Sequence, residues 1–170
     1  MVRVEHVLDT WKAIRQDTAA AVEDFPAVEF GFRPTDDVMT FGEIARHIVE
    51  AGHALSGMLL SGEESFATPD FREKLVRHLP GLPAGASQAQ LAAALRDCLD
   101  QRAAELAARP ADFYGHIITR MDGQQVTRLE MLQMLKEHEL THRAQLFLYM
   151  RMKGIVPATT RRRLAKQAGK

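Results

Sequence analysis

Two histidines and a glutamate in the last quarter of the chain have the spacing of a metal site. The segment KEHELTHRAQ places His138, Glu139 and His142 in the pattern H-E-x-x-H. Residues four apart share one face of a helix, so both imidazoles can bind one zinc ion while the glutamate acts as general base. The pattern is typical of zinc metalloproteases, and proteolysis is therefore the first hypothesis.

The metalloprotease hypothesis needs a third protein ligand downstream of the pair, and the sequence offers none. The residue six positions after His142 is Leu148, and no His, Asp, Glu or Cys follows His142. Familiar zinc metalloproteases take this ligand from a histidine six residues on or from a later glutamate. They also align a peptide along a sheet edge, whereas no segment before residue 111 has a strand pattern. We therefore disfavour proteolysis and look upstream for the third ligand.

His47 is the best upstream ligand, because it shares the inward direction of the other two imidazoles. It follows Ile44 by three residues and precedes Ala51 by four, on the apolar face of a predicted helix. A single core histidine is usually a hydrogen-bonded structural residue. Three that converge in one bundle would leave polar nitrogens in an apolar interior, and a shared divalent metal would satisfy one nitrogen on each ring. The other four histidines lack this placement: His6, His53, His78 and His116.

Four amphipathic helices are predicted to position these side chains. Apolar residues recur at intervals of three and four from Val4 to Val22, and each of the three later helices opens with a capping box. The capping pairs are Thr40 with Glu43, Ser87 with Gln90, and Thr127 with Glu130. A short helix is expected within PDFREKLVRHL. Asp122-Gly123 suits a tight turn, so we expect a small hairpin or an extended loop excursion before the last helix. The pattern predicts an all-α four-helix bundle with these two additions.

Composition limits the partners and the compartment. The 22 Lys and Arg residues balance 22 Asp and Glu residues, so the overall charge gives no sign of nucleic acid or an anionic membrane as main partner. Cys98 is the only cysteine, which excludes an internal disulfide and suggests a reducing compartment. No uncharged apolar run approaches the roughly 18 residues that a membrane helix needs. We expect a cytoplasmic protein with one domain over residues 1–160 and a basic, solvated tail over residues 161–170.

Two segments, residues 32–55 and 135–157, carry a family pattern: FRPTDDVMTFGEIARHIVEAGHAL and LKEHELTHRAQLFLYMRMKGIVP. The first has an RP loop, a capping segment and a helical histidine, and the second has H-x-x-x-H-R-x-Q, a tyrosine and G-x-x-P. The chain thus resembles the DinB-like superfamily, which includes YfiT-type metal-dependent hydrolases and bacillithiol- or mycothiol-dependent S-transferases. Ala144 departs from the pattern, because the family usually has glycine there. The matching residues are His47, His138, His142, Arg143, Gln145, Tyr149, Gly154 and Pro157.

The resemblance implies a fold, a metal and an assembly. It implies an antiparallel four-helix bundle of DinB/YfiT type with up-up-down-down-like connections, a zinc or nickel ion on His47, His138 and His142, and often a homodimer. Three imidazoles leave an open coordination position for water or substrate. We therefore expect a metal-dependent hydrolase or thiol S-transferase that acts on a small molecule, with a low-molecular-weight thiol as a candidate partner. The alternative is a non-catalytic metal-binding protein that serves a stress response or binds a ligand.

Four residues near the predicted ligands have open roles. Glu139 is a candidate catalytic base, but at about 100° from its neighbour it could equally face solvent or pair with Arg143. Glu50 either orients the nearby histidine or lies on the wet surface, and the surface placement is favoured. Trp11 and Tyr149 either line the metal cavity or belong to the core, because both lie on apolar stripes.

Overall fold

The computed structural model describes residues 3–169 of the protein, and four long helices form its body. They are α1 (Val4–Asp24), α2 (Phe41–Leu60), α4 (Gln88–Ala107) and α6 (Arg128–Met152). Shorter elements join and follow them. These are a 3₁₀ turn (Ala27–Glu29), α3 (Phe71–Arg77), α5 (Ala111–Gly115), β1 (Ile117–Thr119), β2 (Gln125–Thr127) and α7 (Ala158–Ala168).

Local sequence signals set where the helices begin, and three of these predictions are confirmed. Thr40, Ser87 and Thr127 each accept a hydrogen bond from the backbone N–H three residues on. In each case the side chain at that third position accepts a bond from the backbone N–H of the capping residue. These reciprocal bonds satisfy N–H groups that the first helical turn leaves without partners.

The predicted hairpin and short helix are also confirmed. β1 and β2 pair antiparallel, with Ile118 opposite Val126, and Gly123 in the connecting turn has φ of +83°. Only glycine adopts that backbone conformation without strain, which explains the Asp-Gly signal. The short helix α3 lies within the segment where it was expected, and it packs against α2.

The hydrophobic interior consists of two clusters at opposite ends of the bundle. The upper core contains Trp11, Leu59, Leu106 and Leu132 with their neighbours. The lower core contains Val22, Ile44, Leu91 and Leu146 with theirs. The predicted apolar stripes are confirmed, because their members supply both clusters. Between the clusters the helices turn polar side chains towards one another, and the candidate site lies near this level.

The helices follow an up-down-down-up order, which corrects the up-up-down-down-like connections that the family resemblance implied. α1 and α6 run from the upper core to the lower core, whereas α2 and α4 run from the lower to the upper. Around the bundle α1 packs on α4 and α6, and α2 packs on the same two helices. Neighbours α2 and α4 are therefore parallel, which is possible because a long connection over residues 61–87 returns the chain to the lower end.

The C-terminal segment forms a helix where the sequence pattern indicated only a solvated basic tail. α7 covers Ala158–Ala168, none of its residues is buried, and it packs along α1. Arg161 binds Asp24 at 2.7 Å and Arg162 binds Asp17 at 2.6 Å. The segment RRRLAKQA is basic as predicted, but acidic partners on α1 hold it in place. Within residues 3–169, no helix combines the length and the apolar character that a membrane crossing demands.

Candidate metal centre

Three imidazoles converge between α2 and α6. His47 projects from the second turn of α2, and His138 and His142 project from successive turns of α6. The Nε2 atom of His138 lies 3.2 Å from Nε2 of His47 and 3.2 Å from Nε2 of His142. Ligand nitrogens of all three rings lie within 4.8 Å of one another. The structure thus brings together the three histidines that the sequence selected as ligands.

The spacing of these nitrogens fits a single metal ion. Zinc–nitrogen bonds of about 2.0–2.1 Å at a tetrahedral angle separate two ligand nitrogens by about 3.3–3.4 Å. The two 3.2 Å separations at His138 are close to that value. Neutral rings that turn their Nε2 lone pairs to a common point repel one another, and a shared cation converts that repulsion into three bonds. In the described part of the chain, no other group of His, Cys, Asp or Glu residues has this geometry.

The rings lie at the edge of the interior, not deep within it as the sequence predicted. All three histidines are half-buried. Burial is the main cause that lowers the pKa of His138 to about 4, and the neighbouring rings of His142 and His47 contribute to the same shift. Burial is also the main cause of the lowered pKa of His47. Both rings therefore stay neutral near pH 7, which is the form that binds a metal.

A side-chain amide orients one of the three rings. The Oε1 atom of Gln145 lies 2.7 Å from Nδ1 of His142. Because the carbonyl oxygen accepts the Nδ1 proton, the Nε2 lone pair is directed at the candidate site. Gln145 belongs to the H-x-x-x-H-R-x-Q pattern, so the structure supplies a physical reason for that glutamine.

Comparison with known proteins assigns the family. The model for the DinB superfamily matches residues 10–146, a span that includes all three histidines. The chain belongs to the DinB superfamily. Among curated proteins, this DinB-superfamily chain is similar to the uncharacterized protein YjoA of Bacillus subtilis (strain 168), with 23% identity over 154 residues. The aligned region covers 91% of this chain and 93% of YjoA.

Solved structures share the fold. The DinB-like protein YjoA superposes with a TM-score of 0.67 and 19% identity, covering 88% of this chain and 92% of YjoA. YfiT of Bacillus subtilis is described as a probable metal-dependent hydrolase with an unusual four-helix bundle topology. It superposes with a TM-score of 0.62 and 14% identity, covering 87% of this chain and 88% of YfiT. A variant of mycothiol-dependent maleylpyruvate isomerase superposes with a TM-score of 0.63 and 15% identity. The match covers 85% of this chain and 61% of that longer chain. These identities establish a DinB/YfiT-type bundle and no more.

The side chain of Glu139 in this DinB-superfamily chain points towards α1, and this placement differs from those expected from the sequence. Its side chain neither faces solvent nor pairs with Arg143, because the residue is 2% exposed and its oxygens accept from three α1 side chains. Trp11 Nε1 donates to Oε2 at 2.5 Å, and Arg15 Nε donates to Oε1 at 2.7 Å. The Thr18 hydroxyl lies 3.0 Å from Oε1. This enclosure argues against a general base, which must reach a substrate proton.

The other residues with open roles are placed as follows. Glu50 accepts a hydrogen bond from Arg46 at 2.9 Å and is partly exposed, in agreement with the favoured surface placement. Trp11 is a core residue whose ring nitrogen donates a hydrogen bond to Glu139. Tyr149 is also buried, and its hydroxyl donates to the Met39 carbonyl at 3.1 Å. Within residues 3–169, the aromatic partners of the three histidine rings are one another, and neither Trp11 nor Tyr149 stacks on them.

Sequence reasoning missed Arg15, which is the partner of Glu139. Arg15 is 3% exposed, although charged residues are seldom buried unless they are paired. A signal was present, since Arg15 lies four residues after Trp11 and three before Thr18 on the same helix face. An arginine on an apolar stripe indicates an opposite charge inside the protein. The pattern names no partner, however, because that partner comes from α6, 124 residues later.

Proposed function

We propose that this DinB-superfamily protein is a metal-dependent enzyme of hydrolase or thiol S-transferase type that acts on a small molecule. His47, His138 and His142 would hold a divalent ion, zinc or nickel. One observation carries the proposal: three Nε2 atoms from two helices meet at spacings that suit one ion. A merely structural set of histidines would instead direct its nitrogens to separate hydrogen-bond partners.

The residues around the site suit a catalytic ion better than a closed structural one. When bound, the ion supplies Lewis acidity that activates water or a thiol as a nucleophile. The chain would provide three nitrogen ligands, and a fourth position would stay open because the rings are only half-buried. Gln145 holds His142 in the required orientation. Closed structural zinc sites use four protein ligands, and among the described residues the cluster comprises three.

The superfamily relatives support this choice of chemistry. YfiT is described as a probable metal-dependent hydrolase, and maleylpyruvate isomerase as mycothiol-dependent. Both share the bundle fold with this chain, so hydrolysis and thiol chemistry are the two reaction classes to test first. Their substrates are not transferred to this chain, because at 14–15% identity only the fold is shared.

Metal content is the first experiment. Protein purified without chelators is analysed for bound elements, and zinc or nickel is then titrated into chelator-treated protein. We expect one ion per chain, and we expect His47→Ala to lower the affinity by more than about 100-fold, since a lost ligand costs more than a lost supporting group. His6→Ala is the matched control, because His6 is exposed. Wild-type protein that takes up no divalent ion would overturn the proposal.

The reaction class needs a second experiment. Metal-loaded protein is incubated with an electrophile and each of several low-molecular-weight thiols, and separately with a panel of small esters and amides. Metal-dependent conjugation supports the S-transferase class, and metal-dependent cleavage supports the hydrolase class. If His47→Ala releases the metal and also unfolds the domain, the site is chiefly structural, and the non-catalytic alternative replaces the enzyme.

Association into a homodimer stays a prediction. We propose it on the family resemblance, and sedimentation of the purified protein tests it. A mass near twice the chain mass of 19.0 kDa supports a dimer, and a mass near 19.0 kDa contradicts it.

A further inference from the structure

One buried guanidinium reaches all four long helices at the middle of the bundle. Arg15 on α1 donates from Nε to Glu139 on α6 at 2.7 Å, and from Nη1 to the Leu95 carbonyl on α4 at 2.9 Å. Its Nη2 atom lies against α2 at Gly52, where an added Cβ would be only 2.9 Å away. Because glycine has no Cβ, Gly52 leaves room for the guanidinium to pack against α2.

This contact lies at the boundary between the two apolar cores. On α1, Arg15 follows Trp11 of the upper core and precedes Ala19 of the lower core. On α6, Glu139 lies between Leu135 of the upper core and Leu146 of the lower core. The hydrophobic attraction between apolar side chains above and below has no direction, so by itself it distinguishes one alignment of the helices from another only weakly. A buried charge pair with directed hydrogen bonds cannot slide, because each unpaired ion would remain in the interior.

The same contact is adjacent to the candidate metal ligands on both of their helices. Glu139 directly follows His138 and precedes His142 by three residues, so an anchored Glu139 fixes the rotation and height of both rings. Gly52 lies five residues after His47 on α2. The guanidinium of Arg15 thus contacts both α2 and α6, the two helices that carry the three imidazoles.

We propose that Arg15 and Glu139 are positioning residues that set the register of α6 against α2 and so preassemble the metal ligands. The inference rests on the proposed metal site and adds a role for residues that touch no metal. A slide of α6 by a single residue is about 1.5 Å. Such a slide would displace the Nε2 atom of His138 by the same amount relative to Nε2 of His47, which now lies 3.2 Å away. Metal bonds tolerate deviations of only about 0.2 Å, so the register determines the affinity.

The test compares variants that loosen the contact with a matched exposed pair. Arg15→Met/Glu139→Gln removes both charges but keeps an acceptor for Trp11 and Thr18. Gly52→Ala keeps both charges and pushes the guanidinium away from α2. The control is Glu23→Gln/Arg96→Met, because that pair also joins α1 to another helix, but at the surface.

Three readouts separate positioning from mere stability. They are zinc affinity by competition with a chelator, the visible spectrum of the cobalt-substituted protein, and unfolding of the metal-free protein. We expect the double variant and Gly52→Ala to bind zinc about 10- to 100-fold more weakly, in the range typical of supporting groups, with an altered cobalt spectrum. The control pair should keep the wild-type affinity and spectrum.

The outcomes separate this inference from the proposed function. A folded double variant with wild-type zinc affinity and cobalt spectrum would overturn the positioning role, even if its stability were changed. Should the double variant fail to fold, Gly52→Ala decides by the same two metal readouts. Wild-type protein that binds no metal would overturn the proposed function itself. If the wild type binds metal, the zinc affinities and cobalt spectra of the variants decide whether Arg15 and Glu139 position the ligands.

Discussion

Adjacent residues on α6 serve two different neighbouring helices. His138 turns its ring towards His47 on α2, whereas Glu139, the next residue, turns its carboxylate towards α1. A helix rotates by about 100° per residue, so such a division is expected for a helix packed between two others. The H-E-x-x-H pattern therefore combines two histidines that face His47 with an acid that bonds to α1, and it resembles a protease motif in its spacing.

Acid should destabilise the metal-free protein through His138. The pKa of its ring is lowered from 6.5 to about 4 by burial and by the neighbouring imidazoles. As the pH falls from 6.5 towards 4, His138 becomes protonated in the unfolded chain but stays neutral in the folded chain. The free energy of unfolding therefore decreases. Urea unfolding of chelator-treated protein at pH 7.0, 6.0 and 5.0 measures this loss. In His138→Gln the loss should be smaller, and parallel curves for the two proteins would contradict the assignment.

Loss of the Gln145 amide should weaken metal binding without unfolding the protein. Gln145 is exposed and fixes the Nδ1 proton of His142, so Gln145→Ala frees the ring to rotate. We expect zinc affinity to fall about 10- to 100-fold, while thermal unfolding of the metal-free protein changes little. Gln133→Ala is the control, since Gln133 lies on the same helix and bonds only Glu137. Equal affinities of the two variants would exclude an orienting role.

The long helices owe their starting points to local chemistry and their packing to the interior. Each of the three capping boxes fixes the first turn of a helix without help from the rest of the fold. α6 is the longest described helix, at 25 residues, and it carries two of the three converging histidines. Because Thr127 both ends β2 and caps α6, the hairpin and the cap together determine where α6 enters the bundle.

Removal of the α6 cap should cost stability. Thr127→Ala leaves the backbone N–H of Glu130 without its side-chain acceptor, and caps of this type contribute about 1 kcal/mol. We expect the free energy of unfolding in urea to fall by about 0.5–2 kcal/mol. Thr141→Ala on the same helix is the control, because its exposed hydroxyl bonds only the Glu137 carbonyl. A Thr127→Ala protein as stable as Thr141→Ala would show that the cap contributes nothing.

The charges of the whole chain are balanced in number but not in position. No acidic residue follows Glu139, whereas α1 presents Asp17 and Asp24 to the basic α7. Since no residue of α7 is buried, charge and hydrogen bonds supply its attachment, and the hydrophobic core does not. The bundle and α7 should therefore respond differently to salt.

Salt should release α7 while the bundle stays folded. Exposed ion pairs contribute about 0–1 kcal/mol each, and 1 M salt shortens the screening length to about 3 Å. We expect faster hydrogen exchange and faster tryptic cleavage within residues 158–168 at 1 M NaCl than at 0.1 M, with unchanged exchange in α2 and α4. Asp17→Asn/Asp24→Asn should give the same result at 0.1 M, and Asp36→Asn should not. Salt-independent protection of α7 would refute electrostatic docking.

Features that depend on neighbours in the chain could be read from the sequence. Capping boxes, apolar stripes, the Asp-Gly turn and the inward direction of His47, His138 and His142 all follow from the geometry of one helix or one turn. The family resemblance added the fold and the predicted ligand set as a unit, and the meeting of the three rings agrees with it.

Features that depend on distant residues needed the fold. The partner of Glu139 is Arg15, 124 residues earlier, and no local pattern states which helix will face which. The up-down-down-up order, the half-burial of the three converging histidines and the docking of α7 on α1 likewise depend on how the helices are arranged around the core. Helical periodicity specifies the direction of a side chain from its own axis. Which group it meets there is set by long-range packing, where burial and charge pairing act across the whole chain.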